Sequence, residues 1–440
     1  MKEDQEQLTD FLQAPDDPAN DPLLGLDQES TDSASQIFAR RELLKVGTVP
    51  EGDRIVGRNE EIKAVANELR HLAMGEPPNH VMIYGKTGTG KSLVSRHVVK
   101  RVIDSANARG INAGKVYIEC KSKNTETRAA RTLTQELNST VDELLDAGES
   151  TIRVPRRGIG AGDYYEYLWE ILDEYYDGII VILDEIDKHN DSDELLHELS
   201  RAREADHTDA HIGIVAISNK IQYRGRLNER VKSSMRNKDF IFEPYSASEL
   251  VNIMEHRRDA FQEGVLTEGV IPKTADLAAQ EHGDARKAID VLRIAGEVAE
   301  NENAEQILDR HVEEAQTHAE VDRLTDLLKA HPPQAKFVLY SLMKLTNSND
   351  RHAFSTSDVY DRYNLVARDV GVDVLSFDRV YQILKESAFL GVTESQKISG
   401  GREGNYLDHT LLRDPDVVLT ALLVNEDRLK KLEGDFTPPT

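Results

Sequence analysis

The sequence predicts an α/β chain: a parallel sheet with helices on both faces, then a small helical unit, then a winged helix-turn-helix. Three observations carry this. Apolar strands alternate with amphipathic helices through the first half of the chain. A glycine-rich turn of the pattern GxxxxGK[ST], Gly85 to Ser92, joins an apolar strand to a helix. After Pro244 the strand signals stop, and a hairpin pattern returns only near Gly400.

Residues 1–35 carry ten acidic side chains against the single Lys2, with Pro15, Pro18 and Pro22 among them, which predicts a disordered acidic tail. Ile55 to Leu72 reads as a helix with Ile62, Val65, Ala66 and Leu69 on one face. Strands follow at His80 to Tyr84, Lys115 to Cys120, Gly178 to Leu183, His211 to Ile217 and Phe240 to Phe242. Helices from Lys91 to Asp104, Arg128 to Leu145, Asp163 to Tyr176 and Asp193 to Ala205 separate them. Ile179 to Leu183 is apolar throughout, as a strand buried on both faces of a parallel sheet must be. Ser246 to Gln262, Pro272 to Glu281 and Asp284 to Asn301 read as helices, the first opened by a Ser246/Glu249 capping box. The last unit has helices at Gln334 to Leu345, Ser355 to Val370 and Ser376 to Ser387. Strands at Leu390 to Ile398 and Asn405 to Asp408 follow, the element order of a winged helix-turn-helix. No repeat of fixed period occurs, which excludes a solenoid.

At 440 residues the chain is long enough for several domains. Acidic residues outnumber basic ones 79 to 54, a net charge of −25. Phosphate backbones are bound through basic side chains, so charge alone argues against a nucleic-acid partner. No apolar run reaches the roughly 18 to 20 residues of a membrane helix. The single cysteine, Cys120, excludes intrachain disulfides and thiolate-rich metal sites, and is read as a small buried hydrophobe. The N-terminal stretch lacks the basic and apolar regions of a secretory signal, so a cytoplasmic location is expected. Arginine exceeds lysine, 32 to 22, beside the large acidic excess. That pairing points to adaptation to a salty cytoplasm, where screening weakens repulsion between surface carboxylates; an ordinary acidic protein is the alternative.

The strand–turn–helix context of Gly85, Lys86, Thr87, Gly88, Thr89, Gly90, Lys91 and Ser92 identifies a phosphate-binding loop. Lys91 reaches β- and γ-phosphate oxygens in such a loop, and Ser92 ligates Mg²⁺. The strand from Ile179 ends in Asp184 and Glu185, which point to opposite sides and so take different jobs: Asp184 for the Mg²⁺ shell, Glu185 to polarise an attacking water. Asp187 is a third acid, a helix cap or a plain loop acid. Ser218 and Asn219 end another apolar strand; if it lies beside the Asp184 strand, Asn219 orients the water.

These motifs resemble those of the AAA+ ATPases, and within them the archaeal initiator family related to the eukaryotic origin recognition complex and its helicase-loading partner. The resemblance spans about Pro50 to Leu423. It rests on Ile55-Val56-Gly57-Arg58-Asn59-Glu60-Glu61, the phosphate loop, Leu183-Asp184-Glu185-Ile186-Asp187, Ser218-Asn219, Arg230-Val231-Lys232-Ser233-Ser234 and Gly283-Asp284-Ala285-Arg286. It implies an AAA+ domain over 36–243, a helical lid over 244–320 and a winged helix over 321–440. ATP or ADP with Mg²⁺ would be the cofactor, with hydrolysis serving as a switch. Ile55 and Val56 would enclose adenine, and Leu93 would join the loop in nucleotide contact. Asn219 would be the core sensor, Arg286 the lid arginine on the γ-phosphate, and Arg230 an arginine finger acting on a neighbouring subunit's nucleotide. Double-stranded origin DNA, the replicative MCM helicase and other initiator subunits would be the partners. An initiator-like paralogue that regulates without loading helicase is one alternative. A clamp-loader-type ATPase is another, disfavoured by the missing Ser-Arg-Cys and zinc motifs.

Under this resemblance the charge argument gives way, because a winged helix and a basic insert occupy only part of the surface. Arg379 or Gln382 on the last helix would read base edges and Lys385 would hold phosphate, with Lys397 and Arg402 at the wing. The family's DNA-touching insert corresponds to about Lys121 to Arg157 and brings Arg128 and Arg131. Each of these side chains is alternatively a solvated surface residue. For salt adaptation the check is direct: helical circular dichroism should rise as KCl goes from millimolar to molar, and full folding at low salt would overturn it.

Overall fold

The computed structural model describes residues 35–45, 54–141, 150–235, 238–349, 351–389, 391–399 and 405–433. The chain divides into two compact units, one ending at Asp309 and the other beginning at Arg310. The acidic tail, except Ser35, and Arg402 lie outside the described residues.

In the first unit, strands β1 (Val81–Gly85), β2 (Ala113–Glu119), β3 (Gly178–Asp184), β4 (His211–Ser218) and β5 (Lys238–Phe242) form one sheet in the order β2-β3-β4-β1-β5. Every pairing in it is parallel. The inner strand β3 is buried along its whole length, and its alternate residues divide between two cores. Ile180 and Ile182 pack with α1 (Asn59–Leu69) and α2 (Lys91–Asn107). Ile179, Val181 and Leu183 pack with α3 (Glu126–Ser139), α4 (Ala161–Tyr175) and α5 (Ser192–Arg201). An apolar run with no alternation was the signature of this arrangement.

Several helix bounds differ from the sequence reading. The helices expected to reach Ala205 and Gln262 end at Arg201 and Glu255. The first helix starts at Asn59, not Ile55, because Gly57 adopts φ 74°, a left-handed turn that separates Ile55 and Val56 from the helix. The helix expected to reach Leu145 ends at Ser139, where the Thr140 hydroxyl donates back to the Leu137 carbonyl; residues 142–149 lie outside the described set.

Beyond β5 the same unit continues in α8 (Ala247–Glu255), α9 (Val270–Glu281) and α10 (Ala285–Asn301), after the short helices α6 (Tyr223–Arg226) and α7 (Glu229–Met235) that precede β5. The capping box is present: Glu249 N–H donates to Ser246 Oγ at 3.4 Å, and Ser246 N–H donates to Glu249 Oε2 at 2.8 Å. Residues 35–45 lie against these helices, with Phe38 stacked on Phe261 at 5.3 Å and Gln262 N–H donating to the Ile37 carbonyl at 3.0 Å.

The second unit contains α11 (Asp309–Lys329, from its second residue), α12 (Pro333–Ser348), β6 (Ala353–Ser355), α13 (Thr356–Asp369) and α14 (Phe377–Phe389). Strands β7 (Thr393–Ser399) and β8 (Asn405–Leu411) and helices α15 (Pro415–Asn425) and α16 (Asp427–Glu433) complete it. The strands pair antiparallel in the order β6-β8-β7. Three helices and a hairpin are thus present as the sequence reading had them, with β6, α11, α15 and α16 added. Helix α15 escaped because its buried residues, Val417, Val418, Ala421, Leu422 and Leu423, surround it and leave no 3.6-residue period. Phe377, at the start of α14, is 42% exposed and packs edge-on against Tyr360. No helix among the described residues is long and apolar enough to cross a membrane.

His409 on β8 is fully buried, and its ring nitrogens meet the hydroxyls of Thr356 at 2.8 Å and Ser395 at 2.9 Å. Burial lowers its pKa to about 4. The unfolded chain, with an ordinary histidine, then binds the proton first, so stability present above about pH 6.5 is lost as pH falls towards 4. Denaturant titration of the second unit's unfolding should show that loss, and His409→Gln should make it shallower.

Candidate nucleotide-binding cleft

Two adjoining cavities, of about 150 and about 460 Å³, open along the C-terminal ends of the strands and share Gly88, Gly90, Ser92, Tyr117 and Arg286 as walls. The smaller is the polar end. Gly85, Gly88 and Gly90 all have positive φ, which turns the Gly85–Ser92 loop around the start of α2. Lys91 is 5% exposed; its Nζ donates to the Lys86 carbonyl at 2.6 Å, and burial lowers its pKa to about 8. Strand parity puts Asp184 on the same side of β3 as Ile182, facing α2 and Ser92. Its Oδ1 accepts from Glu185 N–H at 2.9 Å and its Oδ2 from the Tyr117 hydroxyl at 2.6 Å.

Glu185 leaves the strand through a left-handed φ of 52°, and its Oε1 accepts from Asn219 Nδ2 at 2.9 Å. The condition set for Asn219 holds, since β4 pairs with β3. Asp187 neither caps a helix nor joins the cleft wall. Its Oδ1 accepts from Ser218 Oγ at 3.1 Å and its Oδ2 pairs with Lys220 Nζ at 3.3 Å, so it ties the end of β4 to the turn after β3. Among the described residues no three or more His, Cys, Asp or Glu side chains form a metal cage. The hydroxyl of Ser92 and the carboxylate of Asp184 suit a hard cation that takes its remaining oxygens from phosphate and water, as Mg²⁺ does.

The larger cavity is lined by Ile55, Val56, Leu93, Ile253 and Ile289 and, from the N-terminal segment, by Leu43 and Lys45. Arg286 reaches both cavities from the first turn of α10, whose N-cap Asp284 accepts from Arg286 N–H at 2.8 Å. A Cβ on Gly88 would overlap the Asp284 carboxylate, so the loop and this helix end touch directly. Arg58 fastens the same junction: Nε donates to the Thr89 carbonyl at 3.0 Å, and the guanidinium stacks 3.9 Å from the Tyr245 ring. Arg230 is exposed on α7 and does not line this cleft.

Sequence reasoning missed Leu43, Lys45, Arg96, Tyr117 and Tyr245 as cleft residues. Only Tyr117 left a trace, a polar-tipped side chain alternating with Val116 and Ile118 at a strand end. Arg96 follows Ser92 by one turn of α2, while Leu43, Lys45 and Tyr245 arrive from irregular or distant segments. On α14, Arg379, Gln382 and Lys385 are exposed, Arg379 pairing with Glu386 at 3.5 Å; Lys397 is exposed on β7. On α3, Arg128 is exposed and Arg131 half-buried.

This fold and cleft define an AAA+ ATPase core with a lid and a winged helix, a nucleotide-binding class. Family models agree: an AAA ATPase domain matches residues 54–215, a Cdc6 AAA+ ATPase-type lid domain 251–317, and a CDC6 C-terminal winged helix domain 326–421. ORC1-type DNA replication protein 4 of Halobacterium salinarum is 50% identical over 400 residues, covering 90% of this chain and 95% of that one. ORC1-type DNA replication protein 17 of Haloarcula marismortui is 45% identical over 386 residues, covering 88% and 94%. The solved structure of the Aeropyrum pernix ORC1 protein in complex with DNA aligns with TM-score 0.73 at 32% identity, covering 91% of this chain and all of that one. The chain belongs to the ORC1-type DNA replication proteins.

Gly88→Ala should push the loop and α10 apart and lower affinity for a fluorescent ATP analogue at least tenfold in titration. Gly110→Ala, at a glycine with positive φ in open space, should leave that affinity unchanged.

Proposed function

We propose that the chain is a nucleotide-switched initiator: it binds double-stranded origin DNA, assembles with other initiator subunits and helps recruit or load the MCM helicase. The observation that carries the nucleotide half is convergence. Lys91, Ser92, Asp184, Glu185, Asn219 and Arg286, from four separate segments, line one cavity.

In this reading the backbone N–H groups of the 85–92 loop and Lys91 hold the β- and γ-phosphates, with Thr87 and Gly88 at the loop tip. Ser92 and Asp184 hold Mg²⁺, which supplies charge neutralisation between the phosphates when bound. Glu185 takes the proton of the attacking water. Its bond to Asn219 keeps the carboxylate beside the sensor until phosphate competes for the amide. Ile55, Val56 and Leu93 enclose the base. Arg286 carries the state of the γ-phosphate to the lid, and Arg230, outside its own cleft, serves a neighbouring subunit, so the isolated chain turns over slowly. The division is 36–243 for nucleotide, 244–320 for the lid and 321–440 for DNA. Arg379, Gln382, Lys385 and Lys397 form the winged-helix contact, with Arg128 and Arg131 in the insert. The DNA half draws support from the relatives, which are DNA replication proteins, and from the DNA complex of the Aeropyrum pernix protein. The acidic surface and the salt-loving archaeal relatives support a salt-adapted cytoplasmic protein.

Lys91→Ala should abolish nucleotide binding, while Glu185→Gln should keep binding and stop turnover, both read with a fluorescent nucleotide and phosphate release. Footprinting on origin repeats tests the DNA half: binding no tighter than to random DNA would defeat it. Helicase pulldown separates a loader from a regulatory paralogue.

A further inference from the structure

Tyr117 has no place in the reading above, yet it forms part of the wall of both cavities. It sits on β2 opposite Ile182, with Glu119 opposite Asp184. Parity turns its ring to the α2 side of the sheet, the side Asp184 also faces. Its hydroxyl donates to Asp184 Oδ2 at 2.6 Å. The other oxygen of Asp184 is held by the backbone N–H of Glu185. Both oxygens are therefore fixed from the protein side, and the remaining lone pairs are left for the cleft.

Tyr117 is itself held. The Arg96 guanidinium carbon lies 3.6 Å from the centroid of its ring, well inside cation–π range. Arg96 stands one helical turn beyond Ser92 on α2 and thus rises from the same face. Its Nε is buried with no hydrogen-bond partner among the described residues, so the ring is its evident counterpart at that edge. A chain of contacts runs from α2 through Arg96 and Tyr117 to Asp184, returning to the element that carries Ser92.

We propose that Tyr117 is a positioning residue for the divalent cation: through its hydroxyl, and with Arg96 clamping its ring, it holds Asp184 in the orientation that receives the hydrated metal beside Ser92. This rests on the nucleotide-site reading and adds to it the residues that aim the carboxylate. Without the hydroxyl, Asp184 keeps its place on β3 but loses one of two constraints on its rotation. Metal binding must then supply that order, whereas base and phosphate contacts are untouched.

The test uses the full chain, stripped of nucleotide, in the salt at which it folds. Binding of a fluorescent ATP analogue is titrated across Mg²⁺ concentrations and again with chelator in place of metal. For Tyr117→Phe, which keeps the ring for Arg96, the Mg²⁺ midpoint should rise about tenfold to a hundredfold, the scale on which losing a hydrogen bond to a metal-holding carboxylate weakens metal binding, while affinity in chelator stays at the wild-type value. Arg96→Gln should shift the midpoint in the same direction by a smaller factor. An unchanged Mg²⁺ midpoint in Tyr117→Phe overturns the proposal, as does an equal loss with and without metal. A wild-type chain that binds no nucleotide, or a Lys91→Ala variant that binds as well as wild type, instead overturns the underlying site reading. Thermal unfolding of Tyr117→Phe at the wild-type temperature confirms that the comparison is between folded proteins.

Discussion

The cleft depends on one close approach: the phosphate loop at Gly88 lies against Asp284, the N-cap of α10, with no room for a side chain between them. That approach brings Arg286, two residues further on, into a cavity built otherwise from strand ends and the start of α2. The Ala285 N–H donates to the Gly88 carbonyl at 3.3 Å, and Arg58 holds Thr89 from the other side while stacked on Tyr245, where the chain enters the lid. A loop that moves against phosphate therefore moves against the lid as well. Backbone contacts and one buried guanidinium link the two, and packed contacts of this kind shift between discrete arrangements rather than flexing.

Within the cleft, two like charges are kept apart by strand geometry. Asp184 and Glu185 are adjacent in sequence but separate in direction. The first remains on the pleat facing α2, and the second exits through a left-handed residue towards β4. Each is then held by a neutral donor, Tyr117 for Asp184 and Asn219 for Glu185, so neither depends on a protein cation for its orientation. Lys91, buried close to both, has its charge disfavoured by burial and favoured by these carboxylates. Anionic phosphate entering the loop would strengthen the latter effect.

Much of this was legible from residues alone, for reasons that differ by element. The β3 run Ile179 to Leu183 announces a doubly covered strand, because no polar residue marks a solvent face. The 85–92 loop is legible because its glycines and Lys91 act through backbone conformations and a local helix start that need no distant partner. The wall formed by Leu43 and Lys45 was not, since an irregular segment has no period and its docking on Phe261 and Gln262 is a contact across more than 200 positions. Helix α15 was missed for the opposite reason: it is apolar all round, and periodicity vanishes when burial is complete.

Residues alone determined the phosphate loop, the acids ending β3, the five strands of the parallel sheet and the order of the units, because these rest on local propensity and on spacing along one strand or helix. The tertiary structure alone decided which residues share the cleft. Strand β4 had to pair with β3 before Asn219 could reach Glu185. Helix α10 had to settle on Gly88 before Arg286 could face the loop, and β2 had to fall in register with β3 before Tyr117 could bond Asp184. These are distances between segments far apart in the chain, fixed by packing and sheet register, and no local pattern of residues encodes them.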